Sequence, residues 1–498
     1  MTEINKITKL DLIEMEKEVS VESTDHYFQV DFLKAAMIFL VIFDHIVDWE
    51  IKSEIGVSLW ERISIPVFLV IMGFNMGLSF KRHEATTLRE LYSWRYFKSK
   101  ILRYIVPFLV LYAFSTLLGL VLYQFNIIDM WYGQNYPNHG IMHLFIGFLP
   151  FWGPGNWFLP LLFQSILILP LIYWAFTKKP SLTLILCFIV EIVLQMILFF
   201  FIGEITTYEE LHLVYLVMDS VFFYLSAVGL GIWFSFGYKL NENRNFFMWF
   251  LYPISLAFIV VYQFFFYKIT FNGVPLLIGD YHFLIIPYSA FLFLLAMKLL
   301  PQKSEHRISR GISLISKSTY HILLTQILGY GIIFAIWRTH YLIIGSTLFD
   351  ALYLICAWII FIPFGILWYK IDQGNSLIRR LLYYINFFLV FSIVVYYFFV
   401  ILIPPIDWIP LSFIIILIYG LIYGGVGLII NFIVKKPIKK VTLGLWTLFL
   451  IINFVISVLY RGTPPLFQPD DYIFQNITIF VSLLFVIVGT VLDYTLRK

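Results

Sequence analysis

Long apolar segments separated by short polar ones dominate the chain. Stretches of spanning length occur at about 32–50, 63–80, 104–125, 157–177, 181–203, 213–236, 246–267, 281–299, 314–337, 341–369, 382–403, 408–434, 441–460 and 474–495. Because a bilayer-spanning helix needs about 20 mainly apolar residues, these stretches predict about fourteen transmembrane helices. The apolar stretch 141–152 is too short to cross and predicts a re-entrant or interfacial segment. The expected fold class is an all-α polytopic membrane protein.

Composition supports this interpretation. The 498 residues are 61% hydrophobic and only 13% charged, an excess of apolar surface that needs lipid around it. Residues 1–28 are polar and lack a signal-peptide pattern, so the first apolar stretch predicts a true span. Cys187 and Cys356, the two cysteines, both lie in apolar stretches and form no disulfide or metal motif. We expect no metal site, no bound cofactor and no nucleic-acid partner.

The distribution of basic residues predicts the orientation. If the N-terminus is cytoplasmic and every span crosses, 29 of the 34 Lys and Arg residues lie on the inner side. Lys/Arg excess is typical of cytoplasmic loops, so this orientation is favoured over its inverse. We therefore expect cytoplasmic termini in an integral membrane protein, with a prokaryotic plasma membrane as its location.

Three regions are predicted along the chain. Residues 1–28 form a polar cytoplasmic segment, 29–372 a ten-helix membrane domain, and 373–498 four additional helices of unknown role. The outer segment 127–156 contains no Lys or Arg but many aromatic, Gly and Pro residues. It is typical of either a sugar- or headgroup-contacting loop or an interfacial aromatic belt.

The first span contains a stripe of polar residues. Asp31, Lys34 and His45 lie in a nearly continuous apolar run, where ionisable side chains are costly and indicate a function. Lys34 and His45 are eleven residues apart, so on a helix they share one face about 16 Å apart along the axis. The orientation above puts Lys34 near the inner boundary and His45 in the outer half. The alternative structural interpretations are a packing histidine and a lysine anchor at the boundary.

Two further acidic residues flank His45. Asp48 lies one turn beyond it on the same face and is predicted to fix the imidazole tautomer. Asp44 projects about 100° away from His45, so its partner is expected on another helix, with Arg62 or a polar group of the outer leaflet as candidates. Four polar residues in mid-span line a conduit or bond neighbouring helices, with Asp219 the strongest candidate to line it: Asn75, Glu191, Gln195 and Asp219.

Five motifs, in order, resemble those of the membrane-bound acyltransferase 3 family. They are Asp31-x-x-Lys34 followed after ten residues by His45; Ile65 to Asn75, with Gly73; the basic run Trp94 to Pro107, with Lys100-x-x-Arg103; Gly155-Asn156-Trp157-Phe158-Leu159-Pro160; and Ser318 to Gln326. The family usually has Arg at positions 34 and 100 and His at position 326. The resemblance covers about residues 29–372 and excludes the last four predicted helices.

The resemblance implies an acyltransferase with ten helices that modifies glycans outside the cytoplasmic leaflet. Acyl-CoA, with acetyl as the expected acyl group, is the implied donor substrate and a glycan or glycolipid the acceptor. The donor phosphates are expected on the cations at the inner mouth, which are Lys34, Lys98, Lys100 and Arg103. His45 is the expected general base or acyl carrier. Candidates to line the path or meet the acceptor are Asp31, Asn75, Asn156, Trp157, Asp219 and Gln326.

Two other functions fit the same pattern. One is a transporter or flippase for a lipid or lipid-linked sugar, although the matched broken helices typical of transporters are not evident. The other is a structural partner of a glycan assembly complex. The oligomeric state, the acceptor and the role of the last four helices are not specified by the sequence.

Overall fold

The computed structural model describes residues 27–47, 49–124, 155–202, 214, 217–265, 270–271, 274–275, 277, 281–340, 347–373, 384, 387–388, 391–392 and 394–395. The described helices are α1 (Phe28–Ile46), α2 (Trp49–Glu54), α3 (Ser64–Arg82), α4 (Leu88–Leu91), α5 (Trp94–Lys100), α6 (Val106–Gln124), α7 (Phe158–Lys178), α8 (Pro180–Ile202), α9 (Leu225–Ser235), α10 (Met248–Phe265), α11 (Ile286–Leu299), α12 (Arg307–His340) and α13 (Thr347–Asp372). Short 3-10 turns cover Val57–Leu59, Val221–Tyr224 and Asn243–Asn245, and a π-helical turn covers Ile101–Ile105. A small antiparallel pair joins β1 (Thr270–Phe271) to β2 (Val274–Pro275).

Within these ranges the chain is a helical membrane protein, as its composition predicts. Six described segments are long and apolar enough to cross a bilayer: Val57–Arg82, Leu88–Leu120, Phe158–Lys178, Pro180–Phe201, Asn243–Phe264 and Tyr353–Asp372. The all-α class is confirmed, whereas the count of fourteen stays a prediction. The stretch 141–152 and the predicted helices from 408 onward lie outside the described residues.

The first span begins earlier than the hydropathy pattern predicts. Helix α1 starts at Phe28 and ends at Ile46, about four residues before the predicted bounds at each end. The reason is the buried side chain of Gln29, which donates to the carbonyl oxygens of Met297 and Leu300 at 3.3 and 3.0 Å. Because these bonds satisfy its amide, a polar residue enters the first turn of the helix.

The helix predicted over 213–236 is shorter in the described residues. Its helical region runs from Val221 to Ser235, because Ser220 is extended and interrupts the helix. The Val221 N–H bonds the side-chain oxygen of Gln164 at 3.0 Å instead of a carbonyl one turn earlier. Similarly, α11 begins at Ile286 rather than near 281.

Helices α3 and α9 pack backbone against backbone. A methyl group built on Gly73 would overlap the carbonyl oxygen of Val228, and one built on Gly231 would overlap that of Val70. Small residues allow such close approach where lipid gives helices no hydrophobic drive to associate. The contact fixes the rotation of α3, whose remaining faces are then available to other helices.

Helices α1 and α12 run side by side in the same direction. Ser316 donates to Asp31 Oδ1 at 2.6 Å near their starts, and the Tyr330 hydroxyl donates to the Ile42 carbonyl at 3.0 Å. Both pairs are buried. Residues 31 and 42 are eleven apart on α1, and residues 316 and 330 are fourteen apart on α12, so the two helices stay side by side over about three to four turns.

The close contact between α3 and α9 predicts that one added methyl group at Gly231 destabilises the protein. Gly231→Ala should destabilise the protein by about 1–3 kcal/mol, because the added methyl overlaps backbone atoms that cannot move independently. The measurement is the melting temperature of detergent-purified protein. Gly311→Ala is the control, since its methyl group meets nothing within 4 Å. Equal melting temperatures for the two variants would contradict this packing.

Candidate active site

A cavity of about 990 Å³ opens between α1, α3, the 94–106 segment, α7, α12 and the end of α13. Its two ends differ in chemistry. Charged and hydroxyl groups surround one end, whereas Ile, Val, Leu, Met and Phe side chains line the other. The cavity is large enough for an extended ligand with one charged and one apolar end.

Five cations line the charged end: Lys34, Arg82, Lys100, Arg103 and Lys317. Lys34 lies in the second turn of α1, Arg82 at the end of α3 and Lys317 one residue after the Ser316–Asp31 bond. The single carboxylate among the cavity-lining residues is Asp372. This end is therefore suited to a polyanion, because each phosphate oxygen accepts a charge-assisted hydrogen bond.

A π-helical turn places several consecutive side chains on the cavity. Residues 99, 100, 102, 103 and 104, in this turn and just before it, all line the cavity. Lys100 and Arg103 both lie near the Tyr104 ring, at 6.0 and 5.3 Å from its centre. The Tyr320 hydroxyl donates to the Tyr104 carbonyl at 2.7 Å, which attaches this turn to α12.

The apolar end leads toward His45. On α1 the cavity is lined by Lys34, Ile38 and Val41, and His45 is the next residue of that stripe, about one turn further on. Leu323 of α12 and Phe158 of α7 line the cavity at the same end. Lys34 and His45 thus occupy opposite ends of one path.

His45 lies between an acidic and an amide neighbour. Its Nδ1 is 3.7 Å from Asp44 Oδ2, and its ring meets the Tyr330 ring edge-on at 5.9 Å. Asp44 is itself paired with Lys52, whose ammonium lies 2.8 Å from Oδ1 and also donates to the Asp44 carbonyl. The partner of Asp44 thus lies on another helix, α2, as expected. Arg62 instead lies over the Tyr262 ring at 4.8 Å.

The other ring nitrogen of His45 faces a compact turn before α7. A methyl group built on Gly155 would lie 3.4 Å from His45 Nε2 and 3.5 Å from Gln326 Nε2. Gln326 and Asn156, the next residue after Gly155, are both buried. The structure thus brings Gln326 near His45. Asn156 is the next residue after Gly155, which lies close to both.

A second histidine cluster at the charged end was missed by sequence reasoning. His321 Nε2 lies 2.6 Å from Asp372 Oδ2, and the Tyr384 hydroxyl donates to the other oxygen of Asp372. All three line the cavity. No motif signals the trio, because its members come from α12, the end of α13 and the segment beyond it.

The remaining predicted site residues differ in whether they line the cavity. Asn75 lines the cavity, and Asp31 anchors α12 through Ser316. Lys98 is exposed and Asp219 half-buried, and neither lines the cavity. Trp157 also does not line it, because its ring packs against those of Tyr224 and Tyr281. Asp48 lies outside the described residues.

Glu191 bonds a neighbouring helix rather than the cavity. Ser226 on α9 donates to its carboxylate through both the backbone N–H and the hydroxyl. Of the two roles predicted for Glu191, lining a conduit or bonding a neighbouring helix, the structure shows the second.

The fold and the cavity define an integral membrane protein with a cation-lined path between its helices. A family model described as an acyltransferase domain matches residues 27–368, well over half of the chain. The protein belongs to the acyltransferase 3 family, which confirms the resemblance seen in its motifs. Neither a curated protein nor a solved structure matches the chain. Family membership supports a membrane acyltransferase.

The hydrogen bond from Tyr384 to Asp372 predicts that a residue beyond the matched region 27–368 stabilises the fold. Tyr384→Phe should lower the free energy of unfolding by about 1 kcal/mol, because Asp372 loses a hydrogen-bond donor. The measurement is again the melting temperature in detergent. Tyr369→Phe is the control, since Tyr369 lines the same cavity and its hydroxyl makes no hydrogen bond within the described residues. An unchanged Tyr384→Phe protein would show that this bond does not stabilise the fold.

Proposed function

We propose that the protein transfers an acyl group, with acetyl as the expected group, from cytoplasmic acyl-CoA to a hydroxyl of an extracytoplasmic or lipid-linked glycan. The observation that supports this most is the two-ended cavity, with cations at the Lys34 end and His45 just beyond the other. Coenzyme A has the matching form, with phosphates at one end and a thioester at the far end of an uncharged arm.

The positive-inside pattern gives this path a direction. With the N-terminus in the cytoplasm, the Lys34 end opens toward the compartment in which acyl-CoA is made. His45 then lies in the outer half of the bilayer, where an acceptor on the other side can reach it. A conduit of this kind solves the separation of donor and acceptor without moving either across the membrane.

His45 supplies the proton transfer. As general base it takes the proton of the acceptor hydroxyl while the hydroxyl oxygen bonds to the thioester carbon. The carbon–sulfur bond then breaks, and the departing thiolate of CoA takes that proton from the imidazolium. As acyl carrier, Nε2 would instead bond to the carbon first, release CoA and pass the acyl group to the acceptor. Asp44 near Nδ1 stabilises the charged ring in either route.

Substitution of His45 tests the chemical step. His45→Ala should abolish label transfer from radiolabelled acetyl-CoA to a membrane glycolipid extract, because the proton acceptor is lost. Binding of CoA should persist, since the cations lie at the other end of the cavity. Both are measured on purified protein in lipid nanodiscs. Transfer that survives in His45→Ala would exclude the catalytic role, and a wild-type protein that binds no CoA would favour a transporter.

The cationic end is tested by two basic residues of one segment. Arg103→Gln should weaken CoA binding by about tenfold or more, because a charge-assisted hydrogen bond to phosphate contributes about 1.5–3 kcal/mol. Lys98→Gln is the matched control, since Lys98 is exposed and does not line the cavity. Isothermal titration with CoA measures both. Equal weakening in the two variants would indicate general surface attraction instead of a site.

A further inference from the structure

Two buried amide side chains at or near the Gly155 turn lack hydrogen-bond partners among the described residues. Gln326 is 0% exposed and Asn156 is 1% exposed. Neither the nitrogen nor the oxygen of either amide has a partner there. Asn156 and Gln326 come from different parts of the chain, at the turn before α7 and in the middle of α12.

Such groups are costly unless a ligand completes them. A buried polar group without a partner has lost its hydrogen bonds to water and gained none in return, so most buried amides are bonded to protein or water. The neighbouring Thr325 shows the ordinary arrangement, because its hydroxyl donates to backbone carbonyl oxygens of its own helix at 2.8 and 3.0 Å. Gln326, one residue later, has no such partner among the described residues, so its amide is available to a ligand.

Gly155 lies where the side chains of His45 and Gln326 approach each other. Its φ of +88° lies in the left-handed region, which favours glycine. A methyl group in the direction of its missing side chain would lie 3.4 Å from His45 Nε2, 3.5 Å from Gln326 Nε2 and 3.6 Å from Leu323 Cδ1. The imidazole and the amide therefore face the same small space. Because Leu323 also lines the cavity, this space adjoins its apolar end.

We propose that Gln326, together with Asn156, donates amide hydrogens to the acyl oxygen during transfer. This inference rests on the proposed function. When the acceptor oxygen or His45 Nε2 bonds to the thioester carbon, the electron pair of the C=O bond moves onto its oxygen. The amide hydrogens stabilise that negative charge until the carbon–sulfur bond breaks, the C=O bond re-forms and the thiolate leaves. In this role Gln326 is a catalytic residue, and Gly155 keeps the space open.

A purely structural role makes the opposite prediction for stability. If Gln326 only supported packing through unobserved bonds, an apolar residue of similar size would destabilise the protein. If the Gln326 amide instead binds the acyl oxygen only during transfer, Gln326→Met removes a buried polar group that has no partner among the described residues. The melting temperature should then be unchanged or higher. Rate and stability should therefore move in different directions.

The experiment compares four proteins in lipid nanodiscs: wild type, Gln326→Met, Gln326→His and the control Thr325→Val. The transfer rate at saturating radiolabelled acetyl-CoA, the dissociation constant of CoA and the melting temperature are measured for each. Gln326→Met should lose on the order of 100-fold to 1000-fold in rate, as when one oxyanion donor is removed. Its CoA affinity and melting temperature should not fall. Gln326→His should recover part of the rate because imidazole retains an N–H donor, and Thr325→Val should keep the wild-type rate.

Two failures are distinguishable. A wild-type protein that transfers acetyl groups, with Gln326→Met equally fast, would overturn the role of the amide and leave the proposed function intact. The same holds if Gln326→Met slows only in proportion to a loss of folded protein. A wild-type protein that transfers no acyl group would overturn the proposed function and this inference with it.

Discussion

The close backbone contact between α3 and α9 is the constraint on which the cavity depends. Gly73 and Gly231 allow each helix to reach a carbonyl of the other, so α3 has one permitted rotation. With that face committed, Asn75, Ser79 and Arg82 of α3 line the cavity. In lipid, where apolar surfaces gain little by meeting each other, this steric fit holds a cavity wall in position.

The parallel pair of α1 and α12 gives the cavity its two chemically distinct ends. The Asp31–Ser316 bond and the Tyr330–Ile42 bond set the register at both ends of the pair. Cations collect near the first, and His45 lies near the second. A polar group in a membrane interior needs a partner, and these two buried hydrogen bonds supply one to Asp31 and to Tyr330.

The sequence predicts much of this arrangement because helical spacing is a local property. The stripe from Lys34 to His45 and the helical class follow from periodicity and hydropathy, and the family follows from ordered motifs. The pairing of Asp44 with Lys52 does not, since it depends on how α2 folds back after α1. The His321–Asp372–Tyr384 cluster depends on contacts between separate segments, and Arg82 and Lys317 look like ordinary boundary residues until the cavity between them is known.

The π-helical turn at Ile101–Ile105 has an evolutionary consequence. Turns of this kind arise when one residue is inserted into an α-helix, and they are frequent at functional sites. Without the extra residue, the segment Trp94–Lys100 would be rotated by about 100° relative to α6. A single-codon insertion is enough to set this rotation, while the helix on either side keeps its own hydrogen bonds. One inserted residue thus changes which side chains of Trp94–Lys100 face the cavity without remodelling the surrounding bundle.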